Sequence, residues 1–585
     1  MKFRWSIAPP QPLLTDRLAQ SLGIPPLLAQ CLLNRGLSEP AAISDFLAPR
    51  LRQLADPFRL PNMAAAVERL FLARERSEPM VLFGDYDVDG VTSTALLLEV
   101  FGALGWNARY YLPNRLDEGY GLGREAVENC VKKFPATLLL AVDCGSTAVA
   151  SIAWLKERGV DVIVLDHHQI SDPAPAAVAL VNPQLTPATD AATPGARTFT
   201  ELCSVGLAFK LAHALVKHGR ERGLAREADF DVRRLLDLVA LGTIADVVPL
   251  TGENRILVSI GLEHLNATRR PGLQALQRVA QSARPLGTQE VGFQLAPRLN
   301  AAGRLENAED ALRLLLARDE GEALPLALGL DAQNRERQKI EKHIAQQVIG
   351  ALEAKFKPDR DFVIVEGQLL WHIGVVGIVA SRVVQQFYRP AIIVGGDGEE
   401  WRGSGRSIAG FDLAAALREC QDLLVRHGGH AMAAGLTIRS ANLEAFRVRL
   451  NELARRALKP EHLQAPLLLD AEVGMAQITL DALAQLEQLN PLGQSNPPVH
   501  LFARRLRNQR PPQRLGNAKS RRTGVKLWVT DGQATHESIW WGGDLDDPAL
   551  PKGEFEMAFV PQINRYNGRA TVQLKVLDWR APISA

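Results

Sequence analysis

From Met80 onward, apolar runs of strand length alternate with stretches of helical spacing, the pattern of a parallel sheet with crossover helices. The runs occupy 80–83, 108–112, 137–142 and 161–165. Between 306 and 357 the chain is rich in Glu, Gln, Arg, Leu and Ala at helical spacing, which predicts a long helix separating two lobes. A second α/β unit starts at the apolar run 362–365. Beyond Pro466, short strand-like runs at 524–529 and 554–560, separated by Gly, Pro and Asn turns, predict a small β-barrel. The first fifty or so residues hold helix-like segments at 27–33 and 40–47 and carry no evident chemistry. The expected organisation is therefore α/β: a helical lead-in 1–55, a parallel-sheet domain 56–305, a helical connector 306–357, a smaller α/β domain 358–460 and a barrel 465–585.

A length of 585 residues agrees with several compact units, at a prior of about 150 residues per domain. Apolar residues make up 46% and charged residues 23%, so burial can offset chain entropy and wholesale disorder is excluded. The net charge of +2 excludes a uniformly basic protein, so any polyanion must be met by a local patch. There is no internal repeat or low-complexity tract. Pro9 and Pro10 interrupt the start of the chain before an apolar signal segment forms, and no apolar run is long enough to span a bilayer, so no membrane role is expected. Five cysteines without CxxC spacing argue against disulfides or a zinc knuckle and suggest a reducing, cytoplasmic setting.

Three of the four strand runs end in acid: Asp85-Tyr86-Asp87-Val88-Asp89-Gly90, Asp143-Cys144-Gly145 and Asp166-His167-His168. Open parallel sheets bind ligands beyond the carboxyl ends of their strands, where side chains distant in sequence converge. The first motif also resembles the start of a calcium-binding EF-hand loop, but the twelfth position from Asp85 is Leu96 rather than Glu, and a strand precedes it. Crowded carboxylates repel one another unless cations neutralise them. With Asp246 added, the set is oxygen-rich with one imidazole, which suits Mn²⁺ or Mg²⁺ and lacks the thiolates of structural zinc.

These motifs together resemble the four signatures of the DHH phosphoesterase superfamily, and specifically its bacterial single-strand-specific DNA exonuclease branch. The segments 115–122, 297–305, 372–382, 403–407 and 428–430 extend the resemblance over nearly the whole chain, the last three resembling the accompanying DHHA1 domain. The resemblance implies two divalent ions held by Asp87, Asp89, Asp143, His167 and Asp246, with Asp143 as the bridge. The family often has a histidine shortly before the first acidic motif. Here that stretch is Val81-Leu82-Phe83-Gly84, which leaves open whether Asp85 fills the position.

Two metal ions can bind a phosphate, activate a water and stabilise the leaving oxygen during in-line attack. The implied reaction is phosphodiester hydrolysis with expulsion of the 3′ oxygen and release of 5′-mononucleotides in the 5′→3′ direction. His168 is the candidate proton donor or charge stabiliser at the leaving group, or alternatively a partner that holds its own turn. An exonuclease must also sense an end, and a 5′ phosphate is best gripped by guanidinium and hydroxyl groups. Ser404 and Arg406, read as part of a Gly-rich turn, are candidates, with Arg115, Arg298 or Arg304, and His430 completing the pocket.

The local patch that the net charge requires lies between 504 and 526: Arg504, Arg505, Arg507, Arg510, Arg514, Lys519, Arg521, Arg522 and Lys526, nine cations without an acid. Trp528, Trp540, Trp541 and Tyr566 are nearby, and one or two of them could stack bases. The resemblance further implies roles in mismatch and recombinational repair, with a single-strand-binding protein and a helicase as partners. A phosphodiesterase for short oligonucleotides or cyclic dinucleotides would not need the cationic third domain, and a catalytically silent scaffold that binds single strands would have lost metal ligands that are present here.

Overall fold

A computed structural model of the chain describes residues 3–114, 118–119, 121–185, 199–305, 307–516, 523–548, 550–566 and 568–582. Strand β1 (Arg4–Ile7) precedes three short helices, Pro12–Leu22, Pro26–Asn34 and Pro40–Leu47, each opened by a proline whose fixed φ suits a first helical turn. The expected lead-in is not a separate appendage. Leu18, Leu28, Leu32 and Ile43 share one buried cluster with Met475, Leu501, Val525 and Phe559 of the C-terminal barrel unit.

Strands β2 (Met80–Gly84), β3 (Ala108–Tyr111), β4 (Leu138–Val142), β5 (Asp161–Leu165) and β6 (Ala179–Val181) form an all-parallel sheet in the order β3-β2-β4-β5-β6. Strands β2 and β4 are buried throughout, which is why they read as unbroken apolar runs. The chain moves from β2 to one side and later to the other. The crevice beyond the carboxyl ends of β2 and β4 is therefore the topological switch point, the place where such sheets bind ligands. The apolar helix Val88–Leu104 lies beneath this point and packs with helices Ser204–Glu221 and Leu236–Ala245 in the largest core.

The expected connector contains the 36-residue helix Glu320–Lys355. It is more than a spacer. Ala323, Ala327 and Leu330 are buried in the core of the first domain, while Ile344, Ala345, Val348 and Leu352 are buried in a core of the second. One rigid element thus fixes the distance between the two. The second domain is a mixed sheet of β7 (Ile364–Leu369), β8 (Ala391–Gly396), β9 (Glu400–Arg406), β10 (Leu424–Gly429) and β11 (Ala433–Arg439), in the order β10-β11-β9-β8-β7.

Strand β12 (Pro466–Leu469) leaves this domain paired in parallel with β1. The remaining strands are β13 (Ala471–Glu472), β14 (Leu501–Asn508), β15 (Gln513–Leu515), β16 (Gly524–Thr530), β17 (Thr535–Trp541), β18 (Phe555–Tyr566) and β19 (Arg569–Arg580). They form one sheet that curls until β14 also pairs with β16, a partly closed barrel. The barrel unit docks on the first domain through Arg255, whose guanidinium donates to the carbonyls of Gln488, Leu489 and Asn490.

Candidate metal centre and substrate surfaces

The first acidic motif lies in the turn from β2 into the 88–104 helix. Asp87 caps that helix, its carboxylate accepting from Gly90 N at 3.1 Å. Gly90 answers a packing constraint, because a Cβ there would come within 2.6 Å of the Asp85 carbonyl. Asp89, in the first turn of the helix, accepts from Ser204 N at 2.7 Å and Val205 N at 2.8 Å, and so ties the motif to the N-terminus of the 204–221 helix. Asp143, at the end of β4, has φ 64, a left-handed conformation that few residues other than glycine adopt. Its Oδ1 accepts from the Ser204 hydroxyl at 2.8 Å. Asp246 follows the helix Leu236–Ala245.

Four chain segments are thereby brought to one point. Oxygen atoms of Asp85, Asp87 and Asp143 lie within 4.8 Å of one another, and the same holds for ligand atoms of Asp143, His167 and His168. His167 Nε2 stands 3.6 Å from Asp143 Oδ1, 3.6 Å from Asp246 Oδ2 and 4.0 Å from Asp89 Oδ2. These separations are too long for hydrogen bonds. Two atoms ligating one small cation at about 2.1 Å lie roughly 3 Å apart at right angles and about 4.2 Å apart when opposite, so these separations leave room for an ion among the four groups. His167 Nε2 and Asp246 Oδ2 are buried without hydrogen-bond partners. Such orphaned atoms fit an ion, because an unsatisfied buried polar group is otherwise costly.

The electrostatics agree. Burial, reinforced by the neighbouring Asp89 and Asp87 charges, pushes Asp246 up to about 9. Burial and the Asp87 charge push Asp89 up to about 7, despite its backbone donors. Asp143 is raised well above the carboxylate range by burial and then by Asp89, Asp87, Asp85 and Asp246. Burial and the adjacent His168 lower His167 to about 4, which keeps its ring neutral with a lone pair to offer. Divalent cations would relieve the carboxylate repulsion, and hard oxygen donors with one imidazole suit Mn²⁺ or Mg²⁺. A Cys203 sulfur also lies near Asp89 and Asp246. Burial raises its thiol, and it contacts the Thr243 hydroxyl oxygen at 3.5 Å, so it remains a protonated neighbour.

His168, whose Nδ1 lies 4.0 Å from Asp143 Oδ1, is held in place by a second network. Its Nδ1 lies 2.8 Å from Asp166 Oδ1, and its side chain is 40% exposed. Asp166 also accepts from Ser146 N, and Asn182 donates to both the Ser146 hydroxyl and the His168 carbonyl at 2.8 Å. Burial opposes ionisation of Asp166, but its bond to His168 prevails and lowers it to about 2. For His168, burial favours the neutral ring, but Asp166 outweighs it and raises the pKa. Asp166, Asn182, Ser146 and Ser204 are site residues that sequence reasoning misses. Asp166 is at least visible beside the two histidines. Asn182, Ser146 and Ser204 carry no local signal, since their roles depend on the fold.

The phosphate candidates divide. The segment 403–406 is not a turn but part of strand β9. Its glycines meet a packing need: a Cβ on Gly403 would collide with Val394, and one on Gly405 would come within 2.6 Å of Leu413. Ser404 and Arg406 alternate with them on the opposite face, where Arg406 donates to the Ser404 hydroxyl at 3.0 Å. A cavity of about 340 Å³ opens on this sheet, lined by Ser404, Gly374, Val376, Arg402, Arg426 and His427 among others. Arg402 and Arg426 are additions that no sequence motif marks. Arg304 donates to Gly374 O at 3.2 Å, at the cavity's lip. Arg298 is engaged elsewhere, paired with Asp331 of the long helix at 2.9 Å. His430 is exposed in the turn between β10 and β11. Arg115 lies outside the described residues.

The cationic run of the barrel is less uniform in space than in sequence. Arg504 faces Glu472 and Glu556, Arg514 faces Asp544 and Asp546, and Lys526 pairs with Glu537 at 2.7 Å. Strand pairing brings in acids that are remote along the chain. Arg505, Arg507 and Arg510 are exposed and have no acidic partner among the described residues. Arg510 stacks 3.8 Å over the Trp528 ring. Trp540 instead packs against Trp579, with ring centroids 4.6 Å apart. Lys519, Arg521, Arg522 and the Tyr566 side chain lie outside the described residues.

Residues 79–243 match the model of the DHH family N-terminal domain, 360–456 the DHHA1 domain and 469–578 the RecJ OB domain. The chain is 38% identical over 580 residues to the single-stranded-DNA-specific exonuclease RecJ of Escherichia coli, covering 96% of both chains. It is 36% identical over 584 residues to that of Bacillus subtilis, covering 99% of this chain and 71% of the relative. The crystal structure of Thermus thermophilus RecJ in complex with Mn²⁺ superposes with a TM-score of 0.83 at 31% identity, covering 100% of this chain and 80% of the other. By sequence, domain content and fold, the chain belongs to the RecJ family of DHH phosphoesterases.

Proposed function

We propose that the chain is a 5′→3′ exonuclease that hydrolyses single-stranded DNA and releases 5′-mononucleotides. The observation that carries this reading is the convergence of Asp85, Asp87, Asp89, Asp143, His167 and Asp246 at the sheet's switch point, with two buried donor atoms left unsatisfied. Asp85 completes the group with Asp87 and Asp143, and on this reading it stands in for the histidine that the superfamily often has shortly before this motif. When bound, two divalent ions supply Lewis-acid polarisation of the phosphate and acidify a water.

The protein's own groups do the rest. Ser204 and the backbone donors of the 204–221 helix fix the carboxylates of Asp143 and Asp89, so the site is organised before substrate arrives. Asp166 holds the His168 ring and favours its protonated form, which suits His168 to give a proton to the departing 3′ oxygen. Ser404, Arg402 and Arg426 line one cavity, Arg406 bonds the Ser404 hydroxyl and Arg304 the Gly374 carbonyl beside it, and these groups would supply hydroxyl and guanidinium donors for a terminal 5′ phosphate. The 36-residue helix shared by both cores would set the span from end pocket to cleavage site, and so the product length and direction. Arg505, Arg507, Arg510 and Trp528 supply charge and a ring face for the downstream strand.

In the cell this activity serves mismatch and recombinational repair in the bacterial cytoplasm, on strands exposed by a helicase and covered by a single-strand-binding protein. Digestion of strands labelled at either end, with Mn²⁺, Mg²⁺ or chelator, tests polarity, substrate and metal together. Metal-dependent mononucleotide release from the 5′ end is expected. Attack from the 3′ end, or equal digestion of duplex, would overturn the reading.

A further inference from the structure

Residues 288–305 form a continuous helical rod along the rim of the metal centre: Thr288–Glu290, the segment Val291–Leu295 and Ala296–Leu305. Its contacts span all three units. The Thr288 hydroxyl donates to Leu492 O of the barrel unit at 2.7 Å. Asn300 Oδ1 accepts from Val88 N at 3.1 Å, inside the first acidic motif, and Gly303 lies so close to Tyr86 that a Cβ would approach its carbonyl to 2.6 Å. Arg304 reaches Gly374 O of the second domain. The rod thus leads from the barrel, past the carboxylate cluster, to the end pocket.

One part of this rod departs from α geometry. Val291–Leu295 is a π-helical turn, a feature that is uncommon and frequently found at functional sites. It presents Phe293, which is 74% exposed, the only exposed phenylalanine among the described residues. Gly292 of the same turn lies against Ile244, a Cβ there standing 3.9 Å from its Cγ2. Val247, which directly follows Asp246, is 65% exposed and has φ 61, a conformation that β-branched residues rarely adopt. Two irregular pieces of backbone, in contact through Gly292 and Ile244, therefore each hold an apolar side chain in water close in sequence to that contact. Such irregularities persist where the surroundings enforce them for a use.

We propose that Phe293, assisted by Val247, is a stacking platform for a nucleobase flanking the scissile linkage. This rests on the single-strand reading above. A strand with one phosphate at the cluster carries its neighbouring bases past the residue next to Asp246, and an aromatic face accepts any base, as a sequence-tolerant nuclease requires. The rod's contact with the barrel on one side and the end pocket on the other gives the strand its path across Phe293.

The test uses the full chain with Mn²⁺ and 5′-phosphorylated strands carrying one abasic position at successive distances from the 5′ end. Wild type should be slowed at one particular distance, and Phe293→Ala should cleave the intact strand roughly 5- to 100-fold more slowly and lose that position-specific response. Phe293→Trp should restore both, which separates stacking from misfolding. Anisotropy binding to the same strands in chelator gives a second readout: affinity should fall for Phe293→Ala and recover for Phe293→Trp. A position-specific response that survives in Phe293→Ala, or unchanged affinity and rate, would overturn the proposal. Absence of any digestion by wild type would instead count against the exonuclease reading, while the binding measurement would still report on Phe293.

Discussion

The carboxylate cluster and the cationic edge of the barrel both concentrate charge, and they handle it in opposite ways. In the cluster, Asp85, Asp89 and Asp143 are almost wholly buried, and Asp89 and Asp143 are held by backbone N–H groups and the Ser204 hydroxyl. On the barrel, Arg504, Arg514 and Lys526 are matched by acids from other strands, and Arg505, Arg507 and Arg510 face water. Buried charge held by neutral donors is an unstable arrangement that a divalent ion would complete, so each group there is expected to be indispensable. Exposed charge is screened and shared, so each group there is replaceable.

Replacement of single residues should expose this contrast. The largest effect is expected from Asp143→Ala, which should lower hydrolysis by on the order of 10³-fold or more while single-strand affinity in chelator stays largely intact. Ser204→Ala, which only loosens the same carboxylate, should weaken Mn²⁺ binding by about 10- to 100-fold in calorimetry. Full activity in the first variant would remove Asp143 from the centre.

The end pocket should fall between the two extremes. Arg406→Ala is expected to reduce the preference for a 5′-phosphorylated over a 5′-hydroxyl strand by about tenfold or more, as the loss of a hydrogen bond to a charged group implies. An unchanged preference in competition digests would exclude that side chain.

On the barrel, replacing Arg505 and Arg507 together should lower the slope of log affinity against log salt by about 1.4, with no change in the chemical step. The same is expected for Arg521 and Arg522. Replacing Lys526, already matched by Glu537, should change the slope less. Equal effects from paired and unpaired cations would erase the distinction between them.

The smallest effect is thermodynamic. Asp246 is raised to about 9 and Asp89 to about 7, against an ordinary carboxylate value near 3.9. Between those limits these two carboxyls bind more protons in the folded metal-free protein than in the unfolded chain, so their contribution to stability falls as pH rises from about 4 towards 9, most cleanly above the range in which His167, lowered to about 4, works the other way. A melting temperature lower by a few degrees at the alkaline end is expected in chelator, and Mn²⁺ should flatten the trend. A melting temperature that rises with pH in chelator would contradict the assigned burial of charge.

What is legible in the sequence follows from periodicity and local motif. Strands β2 and β4 are buried on both faces, so their apolar runs stand out, and the aspartates at their ends mark the switch point. Features that depend on three-dimensional neighbours are not legible. The acids that neutralise Arg504 and Arg514 come from other parts of the chain, so a run without local acid looks more basic than it is. Glycines at 403 and 405 resemble a turn because nothing in the local sequence shows that Val394 and Leu413 occupy the space where their side chains would be. Ser204, which holds Asp143, lies 61 positions from it, beyond the reach of any motif.

The pairing of β1 with β12 and the bond from Trp5 Nε1 to Asp578 Oδ2 have a consequence for biosynthesis. A ribosome must add 573 further residues after Trp5 before its partner exists. The parallel-sheet domain can fold as soon as it emerges, since its strands lie close together in the message. The bond from Trp5 to Asp578 can form only when the barrel has been made, at the cost of a very long loop. Maturation of these terminal contacts would therefore lag behind that of the sheet domain that carries the carboxylate cluster.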